Sequence, residues 1–341
     1  FMIDIKSMNL EEITELFKSM GEQAFRGKQV FTWLHKGVTS FDDMSNLSKS
    51  LREKLNNTCY ITAPAVARKQ VSKLDGTTKY LWQLSDGNCV ETVLMRYDHG
   101  NTVCISSQVG CRMGCSFCAS TLDGLERNLT PAEMLDQIYA ISVHTGERVS
   151  NVVVMGTGEP LDNYDNVMRV IEILTADWGF AWSPKRLTLS TIGVLPNLKR
   201  FLDECKCHLA VSLHNPFGPE RLSMMPVQGP WPIQEVIDLI KKYDFTGQRR
   251  VSFEYTMFAG VNDTKVHADA LFRMLRGLEC RMNLIRFHKI PDFPYETSPG
   301  PIIEAFKQRL NNLGITTTVR ASRGEDILAA CGMLAGEHQK K

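Results

Sequence analysis

The stretch Cys111-Arg-Met-Gly-Cys115-Ser-Phe-Cys118 places three cysteines within eight residues of a glycine-containing loop. Three closely spaced thiolates can hold three corners of an iron–sulfur cubane, whereas clusters that only carry electrons usually have four protein ligands. A missing fourth ligand leaves one iron open to a substrate or cofactor. The alternatives are three unrelated buried cysteines or a zinc site, but zinc prefers four closed ligands. The motif therefore predicts an iron–sulfur cluster held by Cys111, Cys115 and Cys118.

The residues flanking this loop predict a strand before it and a helix after it. Thr102-Val-Cys-Ile-Ser-Ser107 is typical of a short buried strand. After the loop, Thr130, Pro131 and Glu133 supply an N-cap, a proline at the first helical position and a capping-box glutamate. The order strand, cysteine loop, helix is the first βα unit of the predicted fold.

Composition is that of an ordinary globular protein. The chain has 341 residues, of which 43% are hydrophobic and 23% charged, enough for one large α/β domain and a small appendage. We expect no membrane span and no secretory leader, and ten cysteines without such a leader indicate a reducing cytoplasm. The formal net charge of +1 means that any RNA contact must come from local patches.

Residues 1–75 show no strand-like alternation and predict a small helical accessory domain. Amphipathic patterns predict helices over Asn9–Met20, Ala24–His35 and Asn46–Leu55, the first capped by Asn9 with Glu12 three residues on. Basic residues in this domain are nearly balanced by acidic ones, so charge alone predicts only a solvated surface.

From residue 76 the pattern changes to strands. Residues 76–96 predict a β-hairpin linker around a Ser-Asp-Gly turn. Residues 97–325 predict a core in which strands alternate with helices, and residues 326–341 form a C-terminal tail. Six βα units predict a parallel sheet curled into a partial (β/α)6 TIM-like barrel, with its active site at the carboxyl ends of the strands. The six strand-like runs are Thr102–Ser107, Asn151–Gly156, Arg186–Gly193, His208–His214, Val251–Met257 and Met282–Phe287. A further strand is predicted near residues 315–320.

Polar residues follow successive predicted strands, and two further cysteines stand out. Taken singly, each polar residue is more often a satisfied polar group, but their shared placement predicts a cofactor pocket. Cys104 lies inside the strand that leads to the cluster loop, and Cys331 lies beside glycine in the tail, where mobility and access favour reactivity. The polar residues are Gly158 and Glu159, Ser190, Ser212, His214 and His288.

The first βα unit resembles that of the radical S-adenosylmethionine (SAM) enzymes, and the whole motif set resembles the RlmN/Cfr family of RNA adenosine methyltransferases. In these enzymes three cysteines hold a [4Fe-4S] cluster, and SAM chelates the open iron. The matching segments besides the cluster motif are Val90-Glu-Thr-Val, Cys104-Ile-Ser-Ser-Gln-Val-Gly-Cys111, Arg127-Asn-Leu-Thr, Gly158-Glu159-Pro160, Leu189-Ser-Thr, Ser212-Leu-His214, Gly260-Val-Asn-Asp, Arg323-Gly-Glu-Asp and Ala-Ala-Cys331-Gly.

The resemblance implies a mechanism that uses two SAM molecules per turnover. Cys331 would take a methyl group from the first, and a 5′-deoxyadenosyl radical from the second would abstract hydrogen from that methyl group. The methylene radical would add to adenine, and Cys104 would then attack the Cys331 sulfur and release the RNA. Glu91 would be the proton acceptor; without the family it would be read as a hairpin surface carboxylate.

The resemblance also implies SAM contacts and a substrate. His288 stands where the family commonly has asparagine, and Thr157 stands where methionine is usual. The expected product is C2-methylated adenosine in 23S rRNA and tRNA, with Cfr-type C8 methylation, which confers antibiotic resistance, as the alternative. A radical SAM enzyme for peptides or metabolites and a non-catalytic RNA-binding module are more distant alternatives. We expect RNA contact by the N-terminal domain, an external electron donor such as a flavodoxin system, and a monomer. The implied SAM contacts are Gly158, Glu159, Ser190, Ser212, Leu213, His214 and His288.

Overall fold

The computed structural model describes residues 1–334, so residues 335–341 of the predicted tail lie outside the described part. Its helices are α1 (Leu10–Ser19), α2 (Ala24–His35), α3 (Lys49–Thr58), α4 (Pro131–Thr145), α5 (Tyr164–Thr175), α6 (Leu195–Glu204), α7 (Gly218–Met224), α8 (Ile233–Ile240), α9 (Lys265–Leu275) and α10 (Gly300–Leu313). Its strands are β1 (Ile3–Asp4), β2 (Cys59–Tyr60), β3 (Ala65–Val71), β4 (Thr78–Gln83), β5 (Cys89–Tyr97), β6 (Gly100–Cys104), β7 (Gln108–Gly110), β8 (Leu125–Asn128), β9 (Val149–Val154), β10 (Leu187–Thr191), β11 (His208–Ser212), β12 (Val251–Met257), β13 (Arg281–Arg286) and β14 (Thr316–Val319).

One ten-stranded sheet organises the molecule, in the order β14-β13-β12-β11-β10-β9-β6-β5-β4-β3. The seven strands from β6 to β14 run parallel, with helices in the connections between them. The six predicted barrel strands and the additional strand near residue 315 are all present, and the partial barrel is confirmed. Because the strands are parallel, their carboxyl ends meet at one mouth, where the predicted site residues gather.

The antiparallel end of the sheet differs from the expectation at one strand. The predicted hairpin is confirmed as β4 and β5, but β3 (Ala65–Val71) precedes it, although no strand was expected before residue 76. This strand forms an edge of the sheet and is mostly exposed, so its sequence lacks the apolar alternation that marks a half-buried strand. The hairpin is also continuous with the barrel, because β5 pairs with β6.

The helix starts expected from capping residues in the sequence agree well with those in the structure. The predicted capping boxes at Asn9 and Thr130 are both present, and α2 has the predicted bounds. The third helix begins later than expected, with Ser48 as its N-cap. Asn46 is not the cap because its side-chain oxygen accepts a hydrogen bond from the Trp33 indole at 2.6 Å.

Buried polar contacts fix the helical N-terminal part against α4. Lys6 is 1% exposed and forms an ion pair with Asp136, and His35 lies 2.6 Å from the Tyr139 hydroxyl. Burial raises the pKa of Asp136 to about 6, and Lys6 opposes that rise. Because α4 directly follows the cysteine loop in the chain, these contacts hold the N-terminal helices on the same scaffold as the site.

No helix within residues 1–334 combines the length and the apolar character needed to cross a membrane.

Candidate active site

The cysteine loop is shaped by a short two-stranded ribbon, β7 and β8. Gly110 has a φ of +76°, and a Cβ there would lie 1.9 Å from the Gly124 carbonyl oxygen, so no side chain fits. The Cys111 N–H donates to that same oxygen at 3.0 Å. On the other side, the Ser116 N–H donates to the Met224 carbonyl at 2.9 Å and ties the loop to the end of α7. The ribbon and these bonds hold the loop over the barrel mouth.

The three motif cysteines line one cavity of about 630 Å³, here called the cluster cavity. Burial raises the pKa of Cys111 to about 12 and also raises the pKa of Cys115, where the neighbouring thiols add to the shift. Unaided, these thiols stay protonated at neutral pH, so three thiolates here require a strongly positive partner such as the irons of a cluster. Within residues 1–334, no three Cys, His, Asp or Glu side chains converge closely enough to hold one metal ion. The fit to a cluster rests on the shared cavity and the thiol chemistry.

The turn after β9 packs tightly against the strand that leads to the cysteines. The Ser107 N–H donates to the Thr157 carbonyl at 2.9 Å. Gly158 has a φ of +111°, and a Cβ there would lie 2.7 Å from the Gln108 Cβ. A glycine is therefore required at 158, and it lets this backbone line the cluster cavity.

Glu159 joins the ends of β9 and β10. Its carboxylate accepts hydrogen bonds from the Ile192 N–H at 2.7 Å, the Leu161 N–H at 3.0 Å and the Thr191 hydroxyl at 3.0 Å. Burial raises its pKa to about 7 despite these donors. Glu159 lines the cluster cavity as predicted from the family motif, and two carboxylate oxygens with three protein donors retain capacity for a ligand donor.

Ser190 and Ser212 also line the cluster cavity, at the ends of β10 and β11. Leu213 is fully buried and is not among the residues that line the cluster cavity, so its predicted contact with SAM stays a prediction. Its carbonyl accepts from Arg221 Nε at 2.9 Å, and the Ser212 carbonyl accepts from Arg221 Nη2 at 2.9 Å. Sequence reasoning missed Arg221. Its buried guanidinium fixes the backbone of this wall, and its positive charge favours the ionised form of Cys115.

His214 is the most constrained residue of the cluster cavity. Its φ of +61° is unusual for a residue with a side chain, and the Asn262 side-chain amide holds its carbonyl at 2.7 Å. The Thr256 N–H donates to Nδ1 at 2.9 Å, so the neutral ring carries its proton on Nε2. Burial lowers its pKa to about 3, which keeps the ring neutral. Phe117 of the cysteine motif packs edge-on against it, with ring centroids 4.8 Å apart.

The two cysteines outside the motif face each other in a second cavity, here called the thiol cavity. Cys104 at the end of β6 and Cys331 in the tail both line this space of about 710 Å³. Cys104 is buried, which raises its pKa to about 12, whereas Cys331 is exposed. Cys118, the third cysteine of the motif, lines both cavities.

The tail carries Cys331 to the edge of the cluster loop. The Ala119 N–H donates to the Gly332 carbonyl at 2.9 Å, and the Ser120 hydroxyl donates to the Leu334 carbonyl at 2.6 Å. Cys331 also shares a cavity with Ser190, Ser212 and His214. The structure therefore brings an exposed thiol to the same place as three of the predicted SAM contacts, Ser190, Ser212 and His214, although more than 100 residues separate them from Cys331 in sequence.

A second arginine, which is half-buried, stands beside the two thiols. Arg320 follows β14 and lines the thiol cavity, with its guanidinium 3.6 Å from the Met155 sulfur and 3.7 Å from Glu254. Proximity to Cys331 is the main cause that raises the pKa of Arg320, so the guanidinium lies close to this thiol.

His288 lies in the thiol cavity, where both of its ring nitrogens meet residues of the loop after β14. Glu325 Oε1 lies 3.1 Å from Nδ1, and the Ser322 hydroxyl lies 3.1 Å from Nε2. A carboxylate only accepts hydrogen bonds, so Nδ1 of the neutral ring donates and Ser322 donates to Nε2. Its predicted contact with SAM stays a prediction, because these protein partners would have to yield to the ligand.

Glu91 lies on the same face of β5 as two residues of the thiol cavity, Val93 and Met95, but in the described residues it is not part of that cavity's wall. Its buried carboxylate forms an ion pair with Lys79 at 3.3 Å. Lys79 also donates to the Leu328 carbonyl at 3.3 Å, which links this pair to the tail. Lys79 was missed from the sequence, and the predicted role of Glu91 stays a prediction.

A partial barrel with three cysteines at its mouth and a glycine turn beside them defines a radical SAM enzyme. Residues 105–272 match the family model of the radical SAM superfamily. Residues 3–61 match the model described as the ribosomal RNA large subunit methyltransferase N-terminal domain. The fold is also similar to the crystal structure of a radical SAM methyltransferase from Sphaerobacter thermophilus, with a TM-score of 0.92 and 39% identity over 98% of this chain and 100% of that chain.

Curated relatives give the family. A protein of Parabacteroides distasonis described as "Probable dual-specificity RNA methyltransferase RlmN" is 50% identical over 329 residues, 96% of this chain and 95% of the relative. One of Lachnospira eligens with the same description is 47% identical over 341 residues, 99% of this chain and 97% of the relative. The chain belongs to the RlmN family of radical SAM RNA methyltransferases, which use a [4Fe-4S] cluster and SAM.

Proposed function

We propose that this chain methylates C2 of a specific adenosine in 23S rRNA and in tRNA, with Cys331 as the methyl carrier. The observation that carries the proposal is the cavity that Cys331 shares with Ser190, Ser212 and His214, beside Cys118. The relatives' description as dual-specificity enzymes supports the two RNA substrates and favours the RlmN branch over the Cfr branch.

Cys111, Cys115 and Cys118 would hold the cluster, and the walls of the cluster cavity would hold SAM. When bound, the cluster and SAM supply a methyl group and a 5′-deoxyadenosyl radical. His214 would donate a hydrogen bond from Nε2 because its Nδ1 is occupied by Thr256. Glu159 would bind SAM through its remaining acceptor capacity while it keeps the ends of β9 and β10 together.

Cys331 would attack the SAM methyl group as a thiolate and become S-methylcysteine. A radical is needed afterwards because C2 of adenine is too weak a nucleophile for ordinary methyl transfer. The adduct of the methylene carbon with C2 would lose one electron, which returns to the oxidised cluster, and the C2 proton. Cys104 would then attack the Cys331 sulfur as a thiolate, so that the S–S bond forms while the S–CH2 bond breaks, and the released carbon takes a proton to become the methyl group of the free base. The shared thiol cavity supports this exchange, and Arg320 supplies a positive charge beside it.

Glu91 would accept the proton that leaves the adenine ring. Its ion pair with Lys79 supports an ionised carboxylate, as a proton acceptor requires. In this role Glu91 would have to reach the base through the thiol cavity. Val93 and Met95 form part of the wall of that cavity. The link from Lys79 to the tail would make that approach sensitive to the position of Cys331.

The reaction also needs one electron from outside to cleave SAM, for which we propose a flavodoxin-type donor, and a thiol reductant that supplies two electrons to reduce the Cys104–Cys331 disulfide before the next turnover. We further propose a monomer, because both cavities are built from a single chain. We place the enzyme in the cytoplasm, where its RNA substrates and a reducing environment coincide. The N-terminal helices, held against α4, would provide additional RNA contact.

The proposed function is tested by nucleoside mass spectrometry after an anaerobic reaction with SAM, reductant and unmodified 23S rRNA fragment. We expect 2-methyladenosine from the wild-type enzyme and none from Cys331→Ala. Formation of 8-methyladenosine would instead assign the Cfr-type reaction. SAM cleavage without any methylated RNA would overturn the proposed substrate class.

A further inference from the structure

Three planar side chains form a stack at the end of β5. The rings of Tyr97 and His99 lie nearly parallel, at 14°, with their centroids 5.1 Å apart. The guanidinium carbon of Arg323 lies 4.5 Å from the centroid of the Tyr97 ring. Tyr97 therefore has one planar neighbour from the β5–β6 turn and another from the loop after β14.

This stack runs from the wall of the thiol cavity to the surface. Tyr97 and Arg323 line the cavity that contains Cys104 and Cys331, whereas His99 is exposed to solvent. The stack therefore connects the cavity that contains Cys331 with the exposed surface, from which an RNA substrate would approach. No residue of the stack has a place in the methyl-transfer steps derived above.

Carboxylates beside the stack are mostly engaged elsewhere. Glu325 lies 3.1 Å from His288, and Asp75 accepts a hydrogen bond from the Gly324 N–H at 3.0 Å. Asp98, between the two aromatic residues, is exposed, so solvent and salt screen its charge. The positive charge of Arg323 thus remains available at the cavity mouth for an anionic partner.

RNA chemistry explains why such a stack would stand there. A base that enters an enzyme pocket leaves its own stack and uncovers the faces of its neighbours. Proteins that bind unstacked RNA cover such faces with aromatic rings or with the plane of an arginine. Stacking tolerates any base, so one platform can serve two different RNA substrates.

We propose that Tyr97, His99 and Arg323 form a stacking platform for the nucleotide next to the target adenosine. The inference rests on the proposed function, because it takes RNA as the substrate and Cys331 as the point of reaction. It assigns substrate positioning to residues outside the cluster and thiol machinery.

The test uses the reconstituted holoenzyme and an RNA hairpin with 2-aminopurine beside the target adenosine. Stacking quenches 2-aminopurine, so we expect fluorescence to fall when wild-type enzyme binds. With Tyr97→Ala we expect the quenching to be lost. We also expect KM for RNA to rise roughly tenfold, which lies within the range measured when a single base–aromatic contact is removed. The kcat is expected to change little. Tyr97→Phe keeps the ring and is expected to restore both quenching and KM.

Tyr243→Ala is the matched control, because Tyr243 also lies beside an arginine, Arg249, with 5.8 Å from guanidinium carbon to ring centroid, but lines neither cavity of the site. His99→Ala, at the exposed end of the stack, carries the test if Tyr97→Ala does not fold. If quenching and KM in Tyr97→Ala and His99→Ala equal those of the wild-type enzyme, the platform proposal is wrong. This holds even if the variants methylate RNA fully. A wild-type enzyme that methylates no RNA would overturn the proposed function instead.

Discussion

The cluster cavity and the thiol cavity meet at Cys118 but are built in opposite ways. The walls of the cluster cavity come from strand ends and tight turns, where buried groups such as Glu159 and His214 are bound to main-chain N–H groups. One wall of the thiol cavity comes from the loop and tail of residues 320–334, and its key thiol, Cys331, is exposed.

The difference matches what each cavity would have to do. A cluster and SAM need fixed ligands, and rigid strand ends provide them. Cys331 would have to meet SAM, then the RNA base, then Cys104, which requires a segment that moves between partners. Two main-chain acceptors, at Gly332 and Leu334, connect the tail to the cysteine loop. Such a segment can shift without disturbing the barrel.

The largest expected effect is the loss of the cluster from Cys115→Ala. Cys115 belongs to the cluster cavity alone, so its removal deletes a proposed iron ligand and leaves the thiol cavity intact. We expect iron and sulfide to fall to background, together with cluster absorbance and all methylation. Cys207→Ala, a buried cysteine outside both cavities, should keep normal iron content. Full iron content in Cys115→Ala would contradict the assignment.

Cys104→Ala should separate the two cavities functionally. The cluster cavity is untouched, so methyl transfer to Cys331 and attack on RNA should proceed. Without the second thiol the covalent RNA–protein product is not released, so turnover stops after one event. Gel electrophoresis should show RNA bound to the protein, and intact-mass analysis should locate it on Cys331. Multiple turnovers by Cys104→Ala would show that another group resolves the intermediate.

Gly158→Ala tests the rigidity of the cluster cavity. The left-handed backbone and the 2.7 Å approach to Gln108 leave no room for a methyl group, so we expect a loss of about 1–3 kcal/mol in unfolding free energy. SAM affinity should fall as well, because the turn lines the cavity. Gly247→Ala is the control, since nothing lies within 4 Å of a Cβ at that position. Equal denaturant midpoints for the two variants would contradict a rigid wall.

The parts of the site that could be predicted from sequence are those encoded locally. The three cluster cysteines lie within eight residues, and the capping box of α4 lies within four, so spacing alone is informative. Gly158 belongs to a turn whose conformation needs glycine. Cys104 and Cys331 stand out by their placement in the sequence, the family resemblance adds their roles, and the fold places the two in one cavity.

The residues that sequence reasoning missed act across the fold. Arg221 reaches back from α7 to the main-chain carbonyl at the end of β11. Lys79 pairs with Glu91 on the neighbouring strand. A long charged side chain carries no local signal for its partner, because tertiary packing decides which buried group it meets. The exposed strand β3 was missed for a related reason, since its edge position removes the apolar pattern.

The smallest effect, the protonation of one histidine from each cavity, sharpens the comparison between them. Burial lowers the pKa of His214 to about 3, whereas His288 has its pKa lowered by burial but faces the carboxylate of Glu325, which opposes that shift. NMR titration of the imidazole signals should show His214 neutral throughout pH 5–8 and His288 protonating at a higher pH than His214.

His214 should also make the free energy of unfolding depend on pH. The unfolded chain binds a proton below about pH 6.5, but the folded ring binds none until the pH approaches 3, so unfolding free energy falls as pH drops through this window. His214→Asn should flatten that slope, while His288→Asn should alter it less. A larger change from His288→Asn would mean that the thiol cavity, rather than the cluster cavity, holds the more rigidly buried ring.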